Sequence, residues 1–125
     1  MKFTGKQSGI IFAALLTAFL HLAAALDKQL FPAGPDPLFI LNSVGFIGLL
    51  GAYFLPIAFF QQKHNLVRQG FIFYALLTIA AWIFIWVIQY VIIGGENFFG
   101  HDSLYGIPAK LAEVALIFLL RADKE

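Results

Sequence analysis

Residues Gly70–Ile93 read GFIFYALLTIAAWIFIWVIQYVII, a run without a single charge and with one glutamine, Gln89. A bilayer core needs about 20 mainly apolar residues per helical span, so this run reads as a transmembrane helix. It lacks the alternating polarity of a membrane β-strand, which argues against a β-barrel. Two more uncharged runs flank it: Gly9–Leu26, with one histidine, and Leu38–Phe60, with one asparagine. A fourth, Ile107–Leu120, carries Lys110 and Glu113. At 1.5 Å per residue it covers only about 21 Å of a ~30 Å core, so its helix is expected to begin earlier, near Ser103. The expected spans are approximately 9–26, 38–60, 70–93 and 104–121.

The breaks between them carry turn chemistry. Pro32-Ala33-Gly34-Pro35-Asp36-Pro37 cannot continue a helix, because each proline lacks an N–H and restricts its predecessor. Gly94-Gly95 ends the third span and Pro108 suits the first turn of the fourth. Gln61–Gln69 is short and polar, which makes the second and third spans an antiparallel hairpin.

Composition agrees with a membrane protein. Of 125 residues 61% are hydrophobic and 12% charged, against about 45–50% and about 25% in soluble domains. That leaves too little polar surface for a soluble monomer or a disordered chain, and a net charge of +1 gives no basic excess for nucleic acid. Without cysteine there are no disulfides, thiolate metal sites or dithiol redox chemistry.

Lys and Arg near the helix ends set the orientation. Lys2, Lys6, Lys63, Arg68, Arg121 and Lys124 fall on one side; the other has Lys28, with Lys110 near the boundary, beside Asp27, Asp36, Glu96 and Asp102. The expected fold is therefore all-α: one domain, residues 1–125, forming an integral membrane four-helix transmembrane bundle in the inner (cytoplasmic) membrane, both termini cytoplasmic. The basic start, the apolar run to Leu20 and Ala23-Ala24-Ala25 also resemble a signal peptide. The expectation carried forward is a first transmembrane helix.

Of the 15 Lys, Arg, Asp and Glu residues only Lys110 and Glu113 intrude into a span. Polar groups at membrane depth are costly and mark sites. On this topology His21, Asn42, Gln89, Lys110 and Glu113, from four helices, fall in one layer of the outer half. Thr17 stacks on His21 at i, i+4. One reading of the layer is structural, with Lys110 paired to Glu113 and the others knitting helices together through hydrogen bonds of about 0.6–2 kcal/mol. The other is a site for a small molecule, lipid headgroup or ion, with Lys110 and His21 as donors and Glu113 as acceptor. Gly45-x-x-Gly48-x-x-Gly51 and the ridge of Ala109, Ala112 and Ala115 offer close helix packing.

Three histidines, His21, His64 and His101, contain no His-x-x-His or Glu-x-x-His spacing, so no metal site is expected. Haem or pigment through His21, with His101 as second ligand, is the rarer alternative to a hydrogen-bonded core histidine. His101-Asp102-Ser103 contains the triad residue types, but neighbours in sequence do not form the relay, and Asp102 or Ser103 is expected to cap the last helix. Trp82 and Trp86 lie within the third span, facing lipid or a neighbouring subunit, or, more rarely, stacking on a quinone or pigment.

Leu41-Asn42-x-x-Gly45, His21 in the first span and Lys110-x-x-Glu113 opening the last resemble a family of small prokaryotic four-helix integral membrane proteins with no assigned activity. The resemblance implies a fold and no chemistry. Small multidrug transporters are similar in length but carry a glutamate in the middle of the first helix, where this chain has none. Quinone-linked thiol oxidoreductases of similar topology require a cysteine pair, which is absent. The expected function is a non-enzymatic accessory or structural subunit of a membrane complex or homo-oligomer. The alternative is small-molecule, lipid or ion binding or transport through the polar layer.

Overall fold

The computed structural model describes residues 4–27, 34, 37–87 and 101–123. Gln89, Gly94-Gly95, most of the proline-rich connection, and Lys2, Lys28, Asp36, Glu96 and Lys124 lie outside them. All regular structure among the described residues is helical: α1 (Gly5–Leu26), α2 (Pro37–Phe54), the short α3 (Ala58–Gln62), α4 (His64–Val87) and α5 (His101–Ala122). Three helices, α1, α2 and α4, are long and apolar enough to cross a membrane. α5 has 22 residues, about 33 Å of helix, long enough to match the other three.

Local chemistry moves several expected boundaries. Thr4 and Gln7 form a reciprocal capping box, each side chain accepting from the other's backbone N–H at 3.1 Å, so α1 starts four residues before Gly9. The second span does not run to Phe60. Pro56 has no N–H to donate and restricts Leu55, so α2 stops at Phe54 and the chain restarts as α3. α4 begins at His64, not Gly70, which turns most of the expected polar connection into helix. Arg68, read as a loop cation, is thereby a buried helical residue. α5 begins at His101, so Pro108 stands inside the helix, past its first turn. Asp102 and Ser103 are helical residues following that start.

The four long helices form a closed square. Among the described residues the backbone of α1 approaches α2 and α5, and that of α4 approaches α2 and α5, while the diagonal pairs meet only through side chains. Lys6 Nζ donates to the Ala122 carbonyl at 2.9 Å, bringing the start of α1 and the end of α5 to one end of the bundle. The interior is built from small α1 residues, Ala13, Ala14 and Ala18, against Phe46, Phe71, Ala75, Leu116 and Leu120. Small residues let helix backbones approach where lipid supplies no hydrophobic drive. Gly9 serves the same contact: a Cβ there would lie 3.0 Å from Leu119 Cδ1. Large apolar side chains cover the exterior, Phe12, Phe19, Leu38, Leu41, Phe73, Phe84, Leu111 and Phe118 all being more than 60% exposed. That inversion is what a helix bundle solvated by lipid requires.

Candidate functional site

Helical spacing places the polar groups. Thr17 and His21 share one face of α1, and Lys110 and Glu113 share one face of α5. α1 and α5 pack together, so the two pairs meet. Glu113 is completely buried. Its Oε1 accepts from Lys110 Nζ at 2.9 Å and its Oε2 from Thr17 Oγ1 at 2.6 Å. His21 Nδ1 lies 2.8 Å from the Thr17 carbonyl, which only accepts, so this nitrogen carries the proton. His21 Nε2 then faces Glu113 Oε2 at 3.7 Å. A carboxylate in lipid is tolerable with such company: an ammonium on one oxygen and a hydroxyl on the other.

α2 and α4 supply a second group. Asn42 Nδ2 donates to Thr78 Oγ1 at 3.1 Å, Thr78 Oγ1 to the Tyr74 carbonyl at 3.0 Å, and Tyr74 Oη to the Asn42 carbonyl at 3.0 Å. These three bonds make a closed ring between the two helices. Ser43 Oγ donates across to the Ala18 carbonyl of α1 at 2.8 Å, which ties α2 to the side of the bundle that holds Glu113.

Between the two groups lies a cavity of about 200 Å³, lined by His21, Asn42, Thr78 and Lys110 and walled by Leu38, Phe39, Ala81 and Trp82. Lys110 Nζ stands 5.9 Å from the Trp82 ring centroid. Asn42 Oδ1 is buried and accepts no hydrogen bond among the described residues. The volume is below the ~300 Å³ at which drug-sized sites begin, so the space suits a small polar group with an apolar continuation.

His21, Asn42 and Lys110 thus line one cavity, Glu113 sits behind them, and Gln89 lies outside the described residues. Glu113 is deeper than a place near a helix end: α5 starts at His101, which puts it twelve residues, about 18 Å, into the helix. Thr78 and Tyr74, which share one stripe of the third span, and Ser43 enter as hydrogen-bond partners. Of the glycine triplet only Gly45 meets another helix, because a Cβ there would collide with Tyr74 Oη. Gly48 faces open space and Gly51 only Leu55. Ala109 and Ala112 are buried.

At the other end of the bundle Tyr53 Oη donates to Asp123 Oδ2 at 2.5 Å, and the Tyr53 ring lies on His64 with centroids 4.3 Å apart. His64 is therefore far from His21, and the His101 side chain is outside what the structure describes. No group of three or more metal-ligating side chains occurs among the described residues. Comparison of the chain with protein-family models, with curated proteins and with solved structures finds no match, so the resemblance to small four-helix membrane proteins rests on the residues quoted for it.

Proposed function

We propose that the chain is a non-enzymatic multi-pass membrane protein that holds the polar end of a small amphiphilic molecule beside Lys110, His21 and Asn42. The observation that carries this reading is the cavity itself. It joins a cation, an imidazole and an amide whose oxygen is unpaired to walls of Leu38, Phe39 and Trp82, so polar and apolar parts of one ligand are both accommodated. α5 acts as a fourth span in this reading, its two internal charges being matched within the bundle rather than exposed to lipid.

The test is native mass spectrometry of protein released from its own membranes in mild detergent. The parent chain is expected to retain a non-protein mass, and Asn42→Leu, which fills the polar side of the cavity with an apolar group, to lose it while keeping its thermal midpoint within a few degrees. No retained mass in the parent, or the same mass in both proteins, would sink the reading.

A second reading, a subunit of a larger membrane assembly or homo-oligomer, draws support from Gly48, whose small side of α2 is uncovered in the single chain. It predicts co-purifying chains; a monodisperse monomer stable in mild detergent counts against it.

Both readings place the termini and the α2–α4 connection in the cytoplasm of a cell whose inner membrane holds the protein. The distribution of Lys6, Lys63, Arg68 and Arg121 supports that side. The cysteine-free sequence makes the check direct. Single cysteines replacing Ser8 or Gln62 should resist a membrane-impermeant maleimide in intact cells and react after permeabilisation, while one replacing Glu96 should react in both. The opposite pattern would reverse the orientation.

A further inference from the structure

A separate cavity of about 240 Å³ lies at the end of the bundle that carries the termini, lined by Arg68, Gln69 and Ile72 of α4 and Arg121 of α5. We infer that it is a binding site for the phosphate headgroup of an anionic phospholipid. The inference rests on the membrane reading above but not on the ligand proposed for the Lys110 cavity.

Two guanidiniums converge there from different helices, and no carboxylate among the described residues lines the cavity. Arg68 is 5% exposed; its Nη2 donates to Asn65 Oδ1 of its own helix, and its guanidinium also hydrogen-bonds the Tyr53 hydroxyl. Among the described residues Asp123 is the acidic residue at this end, and it accepts the short bond from Tyr53 Oη. Neither arginine forms an ion pair among the described residues. A nine-tenths buried guanidinium held by neutral partners, Asn65 and Tyr53, and in no ion pair among the described residues is costly in a low dielectric, and a phosphate, which guanidinium binds in bidentate fashion, supplies a full counter-charge.

Depth and surroundings select a lipid over a soluble anion. Arg68 is in the second turn of α4 and Arg121 in the last turn of α5, so both stand at headgroup level when the helices span the bilayer. From that level an apolar track runs toward the membrane centre on each helix. On α5, Phe118 and Val114 lie three and seven residues before Arg121, 68% and 41% exposed; on α4, Phe73 and Leu76 lie four and seven residues after Gln69, 62% and 50% exposed. These spacings keep each track on the face of its arginine or glutamine neighbour, where acyl chains would lie. Basic clefts between helices on the cytoplasmic side are where anionic headgroups are held, at about 1 kcal/mol per basic residue.

The experiment titrates the full chain in mild detergent with dioleoyl phosphatidylglycerol, dioleoyl phosphatidylcholine or inorganic phosphate and counts bound lipid by native mass spectrometry. Phosphatidylglycerol is expected to bind more tightly than phosphatidylcholine, and Arg121→Gln to lower its affinity about fivefold. Arg121 is exposed, so this variant should fold even where Arg68→Gln does not. Lys63→Gln removes a cation at the same end outside the cavity and should leave the preference unchanged.

Equal affinity for the two lipids, or equal losses in Arg121→Gln and Lys63→Gln, would overturn the inference. So would full displacement of the lipid by millimolar inorganic phosphate, which would assign the site to a free anion. Cysteine labelling reports on membrane spanning independently. A chain that labels as spanning yet shows no lipid preference refutes the headgroup site alone.

Discussion

Glu113→Ala is expected to lower the unfolding free energy of the detergent-solubilised chain by about 3–5 kcal/mol, the range for breaking a buried charge pair by removing one partner. Glu113 has no exposed surface, and its two oxygens accept from Lys110 of α5 and Thr17 of α1. Truncation takes a carboxylate away from an ammonium 2.9 Å distant and leaves the Thr17 hydroxyl to find another acceptor. Glu113→Gln keeps the volume and an acceptor oxygen, so its loss should be smaller. Lys110→Met combined with Glu113→Gln removes both charges and should recover more than half of the Glu113→Ala loss, since a neutralised pair no longer carries the desolvation cost. Equilibrium unfolding in mixed micelles gives all three values. A loss under about 1 kcal/mol for Glu113→Ala would mean that the carboxylate does not clamp α1 to α5. The ligand reading adds a further expectation: Glu113→Gln should weaken ligand retention more than it lowers stability, because the carboxylate that fixes the Lys110 ammonium at the cavity is gone.

The membrane class and the apolar extent of α1, α2 and α4 were legible because lipid imposes one strong rule, an uncharged run of sufficient length. Element ends were less so, and the reasons differ. Thr4 and Gln7 carried a readable capping signal outside the apolar run. Pro56 was readable as a stop but lay inside a run whose hydropathy dominated. His64–Gln69 looked like a loop because it is polar, yet an end of a transmembrane helix at headgroup level is polar too. The candidate site followed from depth and helical phase: His21, Asn42 and Lys110 could be brought to one level by counting residues. Counting could not show that Thr78 and Tyr74 close a ring with Asn42, because hydroxyls are common in apolar helices and only the pairing of α2 with α4 gives these two a partner. Nor could it reveal Arg68 beside Arg121, which are 53 positions apart in a cavity formed by α4 and α5.

The same ring governs the second large effect. Gly45→Ala is expected to destabilise the chain by about 1–3 kcal/mol, at the overpacking scale rather than the small gain that alanine usually brings to a helix. A Cβ on residue 45 collides with Tyr74 Oη and stands 2.6 Å from its Cζ, so the ring has to swing away from α2. Tyr74 cannot move without giving up its 3.0 Å bond to the Asn42 carbonyl and its edge-on contact with Phe46, centroids 4.9 Å apart. Gly48→Ala, on the uncovered side of the same helix, meets nothing within 4 Å and should be neutral or slightly stabilising in the isolated chain. Tyr74→Ala removes the obstacle at the cost of a cavity. The double variant Gly45→Ala with Tyr74→Ala should therefore lose less than the sum of the single losses, by at least about 1 kcal/mol, because the collision exists only when both side chains are present. Strict additivity would show that α2 and α4 are not held this close at Gly45. Retained ligand mass in Gly48→Ala but not in Gly45→Ala would tie the spacing of these helices to the cavity that Asn42 and Thr78 line, since both belong to the ring that the Tyr74 displacement breaks.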